Sequence, residues 1–463
     1  MRPVLLIDFG STYTKLTAVD LDGEALLGTA AAYTTVQTDI SDGLREGLAR
    51  LEERTGKLDY LQTYACSSAA GGLRMIASGL VPELTSEAAK LASLGAGAKI
   101  VGLYSFELTE DDLEDIQAAR PDIFLLVGGT DGGNQECILH NARMLASLPP
   151  AFPIVVAGNR VAARACQRIL AGHEVHVCPN VMPKFGVLQI EPTQSKIREI
   201  FLNRIVQAKG LSQVTDLLSG ILMPTPSAVL QAMELLAKGC EGELGIGDLV
   251  AVDVGGATTD VYSMADGMPE QMNTVYKGLP EPFSKRTVEG DIGMRYSVNG
   301  IVEAAGAERA AQLSGLTPQR VQELVSYLRE HTDKLPEGDG ELEALDYALA
   351  SLAVETAVAR HAGTMEETYT LMGQTFVQSG KNLTNVRQIV VTGGSLIHAE
   401  RVAEIARHAL YSTAQPASLR PKEADIWVDR TYILAAMGLL AAHEPQTALR
   451  IMKKELEKHG YQK

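Results

Sequence analysis

The chain has 463 residues, 46% of them hydrophobic, with a formal net charge of −16 and a mean hydropathy near zero. It is too long for a single core, and at ~100–200 residues per domain it suggests about three lobes. Its acidity and lack of a basic cluster argue against nucleic acid as a partner, and no apolar run reaches the ~18–20 residues that span a membrane.

The first element is the apolar run Leu5-Leu6-Ile7, which ends at Asp8, turns through Phe9-Gly10-Ser11-Thr12 and resumes as a strand carrying Thr14 and Lys15. This reads as a β-hairpin. Gly10 lets the backbone approach a polyanion, Ser11 and Thr12 add hydroxyl donors, and Asp8 at the strand end is suited to a hydrated metal ion. A plain turn in a β-rich protein has the same local pattern. Asp8 also interrupts the N-terminal apolar run, so no signal peptide is expected.

Helix and strand patterns then alternate: strand 100–104, helix 111–119, strand 123–127, helix 136–147, strand 154–157, helix 161–170, strand 175–178. This predicts a parallel βαβ insert with right-handed crossovers over residues 85–190. Ligands of such units sit at the carboxyl ends of strands, so Gly128-Gly129-Thr130-Asp131-Gly132-Gly133-Asn134 and Gly158-Asn159-Arg160 form a candidate second site or docking surface. The alternative is tight loops in which Asn134 and Asn159 cap helices. Gly95-Ala96-Gly97 precedes its strand, the wrong order for a dinucleotide fingerprint, and Gly10 to Lys15 lacks the second glycine of a P-loop. The five cysteines are scattered and free of C-x-x-C spacing, which points to reduced thiols in a cytoplasm. Of His173, His176 and Cys178, alternation aims only His176 and Cys178 to one face of the strand, so a third and fourth metal ligand are missing and the group reads as strand filler.

A connecting helix leads to the second notable run, Leu249-Val250-Ala251-Val252-Asp253-Val254-Gly255-Gly256-Ala257-Thr258-Thr259-Asp260, which repeats the order of strand, acid, glycine turn and hydroxyls. Two such hairpins facing one another would make a clamp for a nucleotide triphosphate, since hydrogen bonds to charged oxygens contribute about 1.5–3 kcal/mol each. A mostly helical lobe follows over 303–381, with a solvated acidic stretch at 337–343. Arg387-Gln388-Ile389-Val390-Val391-Thr392 then runs as a buried strand into Gly393-Gly394-Ser395 and a helix predicted over 399–410. A base and ribose can lie against bare backbone there, although an ordinary βα turn has the same form.

In this order the three segments resemble the actin, Hsp70 and sugar-kinase ATPase superfamily. The resemblance implies an α/β fold with a duplicated ribonuclease-H-like core that binds ATP and Mg²⁺. It assigns the first phosphate segment to Gly10, Ser11, Thr12, Thr14 and Lys15, and the second to Gly255, Gly256, Ala257, Thr258 and Thr259. Gly290, within Glu289-Gly290-Asp291-Ile292-Gly293-Met294-Arg295, would lie beside the nucleotide, and Gly393, Gly394 and Ser395 would hold the adenosine. Asp8 and Asp253 become the metal carboxylates and, with Glu289, the catalytic candidates. Met223-Pro224-Thr225-Pro226-Ser227-Ala228-Val229-Leu230 resembles the connecting-helix start, and Tyr432-Ile433-Leu434-Ala435-Ala436-Met437-Gly438-Leu439-Leu440 the small-residue helix that closes the fold. The implied division is a first ATPase half over 1–84, the insert over 85–190, the connecting helix and second half over 191–302, the helical lobe over 303–381, and a return to the second half over 382–463.

Within the superfamily, the chain is most similar to the glutamate mutase accessory protein (MutL-like) family. The strings that carry this are Ile7-Asp8-Phe9-Gly10-Ser11-Thr12 with Thr14-Lys15, Cys66-Ser67-Ser68-Ala69-Ala70-Gly71-Gly72-Leu73, Val127-Gly128-Gly129-Thr130-Asp131-Gly132-Gly133-Asn134 and Val288-Glu289-Gly290-Asp291-Ile292-Gly293-Met294-Arg295. The resemblance implies an ATP-dependent chaperone or reactivating factor for an adenosylcobalamin-dependent mutase, with mutase subunits as partners and a homo-oligomer left open. Chaperone-like members carry a Glu before the Pro-Thr pair, where this chain has Met223. Hydrolysis is then slow, or Asp260, Glu289 or Asp291 serves, with Glu289 preferred. A small-molecule kinase and a nucleotide-binding assembly protein without turnover are the competing readings.

Overall fold

Residues Pro3–Phe9 are buried along their whole length, and this run forms the central strand of a sheet. The computed structural model describes residues 1–10, 13–33, 40–67, 73–208, 221–370 and 373–460. These fall into two compact units, Met1–Ala232 with Ala435–Ile451, and Met233–Leu434 with Met452–Lys463.

The strands described in the first unit are β1 (Pro3–Phe9), β2 (Tyr13–Asp20), β3 (Ala25–Tyr33), β4 (Gln62–Ser67), β5 (Leu73–Gly79), β6 (Ala98–Ser105), β7 (Ile123–Leu126), β8 (Ile154–Val156), β9 (Val175–Val177) and β10 (Ile221–Pro224). β1, β2 and β3 form an antiparallel meander. β4 adds to β1 in parallel and β10 adds to β4 in parallel, giving the order β10-β4-β1-β2-β3. Asp8 lies opposite Lys15 and Phe9 opposite Thr14, so the first glycine turn follows the carboxyl end of the central strand.

A second sheet in this unit is wholly parallel, in the order β6-β5-β7-β8-β9. Ile76, Phe124, Leu126, Ile154 and Val156 bury one face against Ile116, Ile138, Ala142, Ala162 and Cys166 of the crossover helices Glu110–Ala119, Glu136–Ala146 and Arg160–Ile169. This sheet starts earlier than the sequence division at residue 85. β5, counted there with the first half, pairs with both β6 and β7, and apart from Arg74 it is buried along its length, as the interior of a parallel sheet demands.

The second unit contains β11 (Gly239–Cys240), β12 (Glu243–Leu244), β13 (Leu249–Val254), β14 (Thr259–Met264), β15 (Thr274–Lys277), β16 (Ser284–Glu289), β17 (Thr364–Thr370), β18 (Gly373–Ser379), β19 (Gln388–Thr392), β20 (Asp425–Val428) and β21 (Glu457–His459). β13, β14 and β16 repeat the antiparallel meander. β19 pairs with β13 and β20 with β19, both in parallel, so the order β16-β14-β13-β19-β20 copies the first sheet, with β21 added at its edge. The ribonuclease-H-like sheet therefore occurs twice. The stretch predicted as a helical lobe holds helices Ala307–Ser314 and Pro318–Glu330, but its longest helix, Gly340–His361, packs Leu345, Leu349 and Ala353 into the same core as Val250, Val252 and Val254 of β13. The stretch then ends in the strands β17 and β18. No helix among the described residues is long and apolar enough to cross a membrane.

The closing helix Leu434–Ala441 returns Gly438 to the first unit, where it meets helix Thr225–Lys238. A Cβ on Gly438 would lie 1.8 Å from the Ala228 carbonyl oxygen, so this crossing admits only glycine. Gly438→Ala is expected to destabilise the protein by about 1–3 kcal/mol, the range for overpacking, in a denaturant titration. An unchanged midpoint would mean that the two helices part without loss.

Candidate functional site

In the first unit the site is built around Asp8, which is buried at the end of β1. The Thr225 hydroxyl, at the start of helix Thr225–Lys238, donates to Asp8 Oδ1 at 2.5 Å, and the Cys66 thiol donates to the same oxygen at 3.5 Å. Lys15 Nζ stands 4.0 Å from Oδ2. Burial, reinforced by the neighbouring Asp8 carboxylate, pushes the Cys66 thiol well above its ordinary value, so it serves as a neutral donor. β10 and β4 bring these groups together, since Met223 is in register with Cys66 and Pro224 with Ser67. Gly10 N donates to the Asp8 and Tyr13 carbonyls, and a Cβ on Gly10 would lie 2.5 Å from the Tyr13 oxygen. Thr14 is fully buried. Ser11 and Thr12 lie outside the described residues, as do Ser68 to Gly72.

In the second unit Asp253 occupies the matching position, opposite Asp260 on β14 and beside Thr392 on β19. Gly255 N donates to the Thr258 carbonyl to close the turn. Gly255 O then accepts from Met294 N, and Gly256 O accepts from Arg295 N and Tyr296 N, so the segment after Gly290 lies on the turn formed by Gly255, Gly256, Ala257 and Thr258. Gly293 is needed there because its Cβ would come 2.4 Å from the Ala257 backbone. Gly393, at φ 101°, presses against the other side of the strand end: a Cβ would fall 2.4 Å from the Val254 carbonyl and 2.6 Å from Asp253 Oδ1. Gly394 is exposed and meets nothing, and Ser395 is half-buried. The structure thus gathers Asp253, the glycine turn, Gly290 and Gly393 at one end of one sheet.

Three expectations change on inspection of the side chains. The Thr259 hydroxyl is fully buried and donates to the Ile292 carbonyl at 3.0 Å, which ties the hairpin to the next segment and directs that proton away from any ligand. Glu289 is clamped by Arg360 at 2.8 Å, and the same guanidinium holds Asp291, while Asp260 pairs with the buried Arg286. Each acid considered as a substitute general base is therefore engaged by an arginine. The helix predicted over 399–410 is reduced to Val402–Arg407, behind the single turn Gly394–Ile397. Arg430 takes the carbonyls of Ile397 and Ala399, so the chain breaks between the two helices.

Thr225 and Cys66, as partners of Asp8, were not identified as site residues from the sequence. A hydroxyl at the start of a helix that follows a strand is a weak signal for Thr225, and nothing local announces Cys66.

At the carboxyl end of the insert sheet, Asn159 Nδ2 donates to the Gly133 and Asn134 carbonyls, and its Oδ1 accepts from Gly132 N and Val161 N. Asn134 accepts from Cys137 N, and Asn180 Nδ2 binds the Gly129 carbonyl and Asp131. Asn159 thus caps helix Arg160–Ile169 as expected, whereas the N-cap of helix Glu136–Ala146 is Gln135 and Asn134 reaches Cys137 N from one residue before it. The loop is braced by these bonds, and apolar side chains are exposed in the same region: Phe106, Val161, Phe185 and Val187. His176 bonds Glu174 at 2.8 Å, all five cysteines are free thiols, and among the described residues no group of three or more His, Cys, Asp or Glu gathers for a metal.

A family model described as MutL protein matches residues 4–456. Protein MutL of Clostridium tetanomorphum is 48% identical over 462 residues, covering 99% of this chain and 100% of that one. Among solved structures, component A of the Acidaminococcus fermentans (R)-2-hydroxyglutaryl-CoA dehydratase covers 98% of this chain and 99% of its own at 9% identity and a TM-score of 0.32. Gluconate kinase from Lactobacillus acidophilus covers 99% and 93% at 11% identity and a TM-score of 0.36. At such scores these likenesses carry no weight, and the fold is read from the strand order above.

The two neighbouring glycines give a paired test. Gly393→Ala meets both a positive φ and a backbone clash and is expected to lower the unfolding midpoint, by about 1–3 kcal/mol, whereas Gly394→Ala is expected to be neutral within about 0.5 kcal/mol. Equal midpoints for the two variants would refute the close approach of Gly393 to Asp253.

Proposed function

The chain belongs to the MutL protein family, and on that premise we propose that it is a Mg-ATP-dependent accessory protein that reactivates an adenosylcobalamin-dependent mutase of the glutamate mutase type. The observation that carries the nucleotide part is the repetition of one chemical arrangement. In each unit the central strand carries an Asp one residue before its end and runs into a glycine turn, where a Cβ would lie 2.5 Å from the Tyr13 oxygen at Gly10 and 3.1 Å from the Thr258 oxygen at Gly255, and in the second unit Gly393 leaves bare backbone against the Asp253 carboxylate.

Mg²⁺ takes one or two carboxylates and completes its octahedron with water and phosphate oxygens, so a single Asp per hairpin suits it. When bound, the ion neutralises phosphate charge. The chain's own residues then have separate tasks. Asp8, oriented by Thr225 and Cys66, and Asp253 are the carboxylates that would hold the ion. Gly10 and Gly255 close the turns with their own N–H groups, and Gly256, Ala257 and Thr258 offer turn backbone and a hydroxyl to phosphate oxygens, with Lys15 as the cation near Asp8. Gly393, Gly394 and Ser395 receive the adenosine.

ATP and its products can alter a partner only through a difference in the partner's affinity for the two nucleotide forms. A coupling of about 1–3 kcal/mol corresponds to roughly a 5–150-fold change in affinity, sufficient to favour release of a spent cobalamin that a mutase holds tightly. We assign the mutase contact to the carboxyl end of the insert sheet, where Phe106, Val161, Phe185 and Val187 are exposed around the loop braced by Asn159 and Asn180. A second reading, tight nucleotide binding without turnover, is favoured by Met223: it stands in register with Cys66 beside Asp8, where a carboxylate would position water.

The test uses a mutase inactivated during turnover. Activity is expected to return only with this protein, ATP, Mg²⁺ and fresh adenosylcobalamin together, and to stay lost with Asp8→Ala or Asp253→Ala. Recovery without ATP, or with either variant, would rule out the reactivating mechanism. Recovery with ATP but without phosphate release would select the second reading.

A further inference from the structure

Arg420 is fully buried in the second unit, yet only part of its guanidinium is satisfied. Nη1 donates to the His408 carbonyl at 3.2 Å, while Nε and Nη2 have no hydrogen-bond partner among the described residues. Those two nitrogens form one edge of the guanidinium, with parallel N–H bonds spaced to receive two oxygens of a single anion. Buried donors are rarely left unpaired, and a charged one least of all, so something outside the chain must supply acceptors.

The surrounding charge indicates what that is. Glu355 is the nearby carboxylate, and it is already engaged: both of its oxygens accept from Arg309 Nη2, at 3.2 and 2.8 Å, and His408 Nδ1 stands 3.8 Å from Oε2. His408, followed by Arg309, holds Glu355 below its usual range, which keeps it a carboxylate. Burial, with Arg309 as a like-charged neighbour, works against the Arg420 cation. Two guanidiniums therefore share one carboxylate, and a bridging water would fill the donors without correcting the charge. The backbone that carries the fully buried Arg420 is pinned on either side, where Leu383 N donates to the Leu419 carbonyl and Tyr411 N to the Pro421 carbonyl. Arg309, with 40% of its side chain exposed, opens the cluster to solvent. The cluster is separate from the glycine turns, since Arg420 precedes the amino end of β20 while Gly393 follows the carboxyl end of its parallel neighbour β19.

We propose that Arg420, with Arg309 and His408, forms a binding site for a small oxyanion of the inorganic phosphate class, seated side-on against Nε and Nη2 of Arg420. The full chain, saturated with Mg-ATP so that the hairpins are occupied, is titrated with inorganic phosphate at constant ionic strength, with sodium chloride as the control. The unfolding temperature is expected to rise with phosphate and not with chloride. Arg309→Gln, a change at the surface, is expected to weaken phosphate binding at least tenfold, and Arg420→Met to abolish it. Should Arg420→Met fail to fold, Arg309→Gln decides. A wild-type protein indifferent to phosphate would mean that water alone fills the gap, and a phosphate response unchanged in Arg309→Gln would move the anion elsewhere. Either result overturns the proposal.

Discussion

A carboxylate at the point where a central strand stops must be oriented by whatever the fold brings next to it, and both units are organised around that need. In the first, Asp8 draws a hydroxyl from the start of a helix and a thiol from the adjacent parallel strand, with an ammonium group nearby. In the second, the backbone of Gly393 closes over Asp253, and Thr392 next to it bonds the buried Asp429. Asp429 in turn accepts from the backbone N–H groups of Ile433 and Leu434, fixing the start of the closing helix. The strand-end acid is thus flanked by the β19 turn, and Thr392 and Asp429 beside it fix the start of the closing helix. A substitution that fills the close approach at Gly393 acts on stability and on the site together.

What the sequence revealed follows from the range of the interactions involved. Both hairpins were legible because an apolar run, an acid, a glycine turn and hydroxyls are neighbours in the chain, and the strand pairings confirm that local order. The duplicated sheet followed from recognising the two copies together. The partners of Asp8 were not legible, because Thr225 and Cys66 lie 217 and 58 residues away. Glu289 was preferred among the three acids, and only the folded chain brings Arg360 to it from 71 residues on. Thr259 shows the same limit at short range, since alternation along β14 decides which hydroxyl turns inward. β5 was misassigned for a different reason: a buried strand reads alike in either sheet, and its partners β6 and β7 both come later.

The insert and the cluster at Arg420 show two uses of polar groups. In the insert, Asn159 is satisfied by the loop backbone and Asn180 by the Gly129 carbonyl and Asp131, which braces a platform with exposed apolar side chains. At Arg420 the satisfaction is incomplete, and the missing acceptors define a ligand. Buried polar groups that are fully paired specify shape, and those left open specify chemistry.

The central claim is that nucleotide state controls the hold of this protein on a mutase. The most direct measurement is the dissociation constant of the protein for an adenosylcobalamin-dependent glutamate mutase, determined by calorimetry with Mg-ATP and again with Mg-ADP. The account predicts that the two values differ by at least about fivefold, the lower end of ordinary coupling between sites. Equal affinities in the two nucleotide states would contradict it, since a ligand that binds both forms alike shifts nothing.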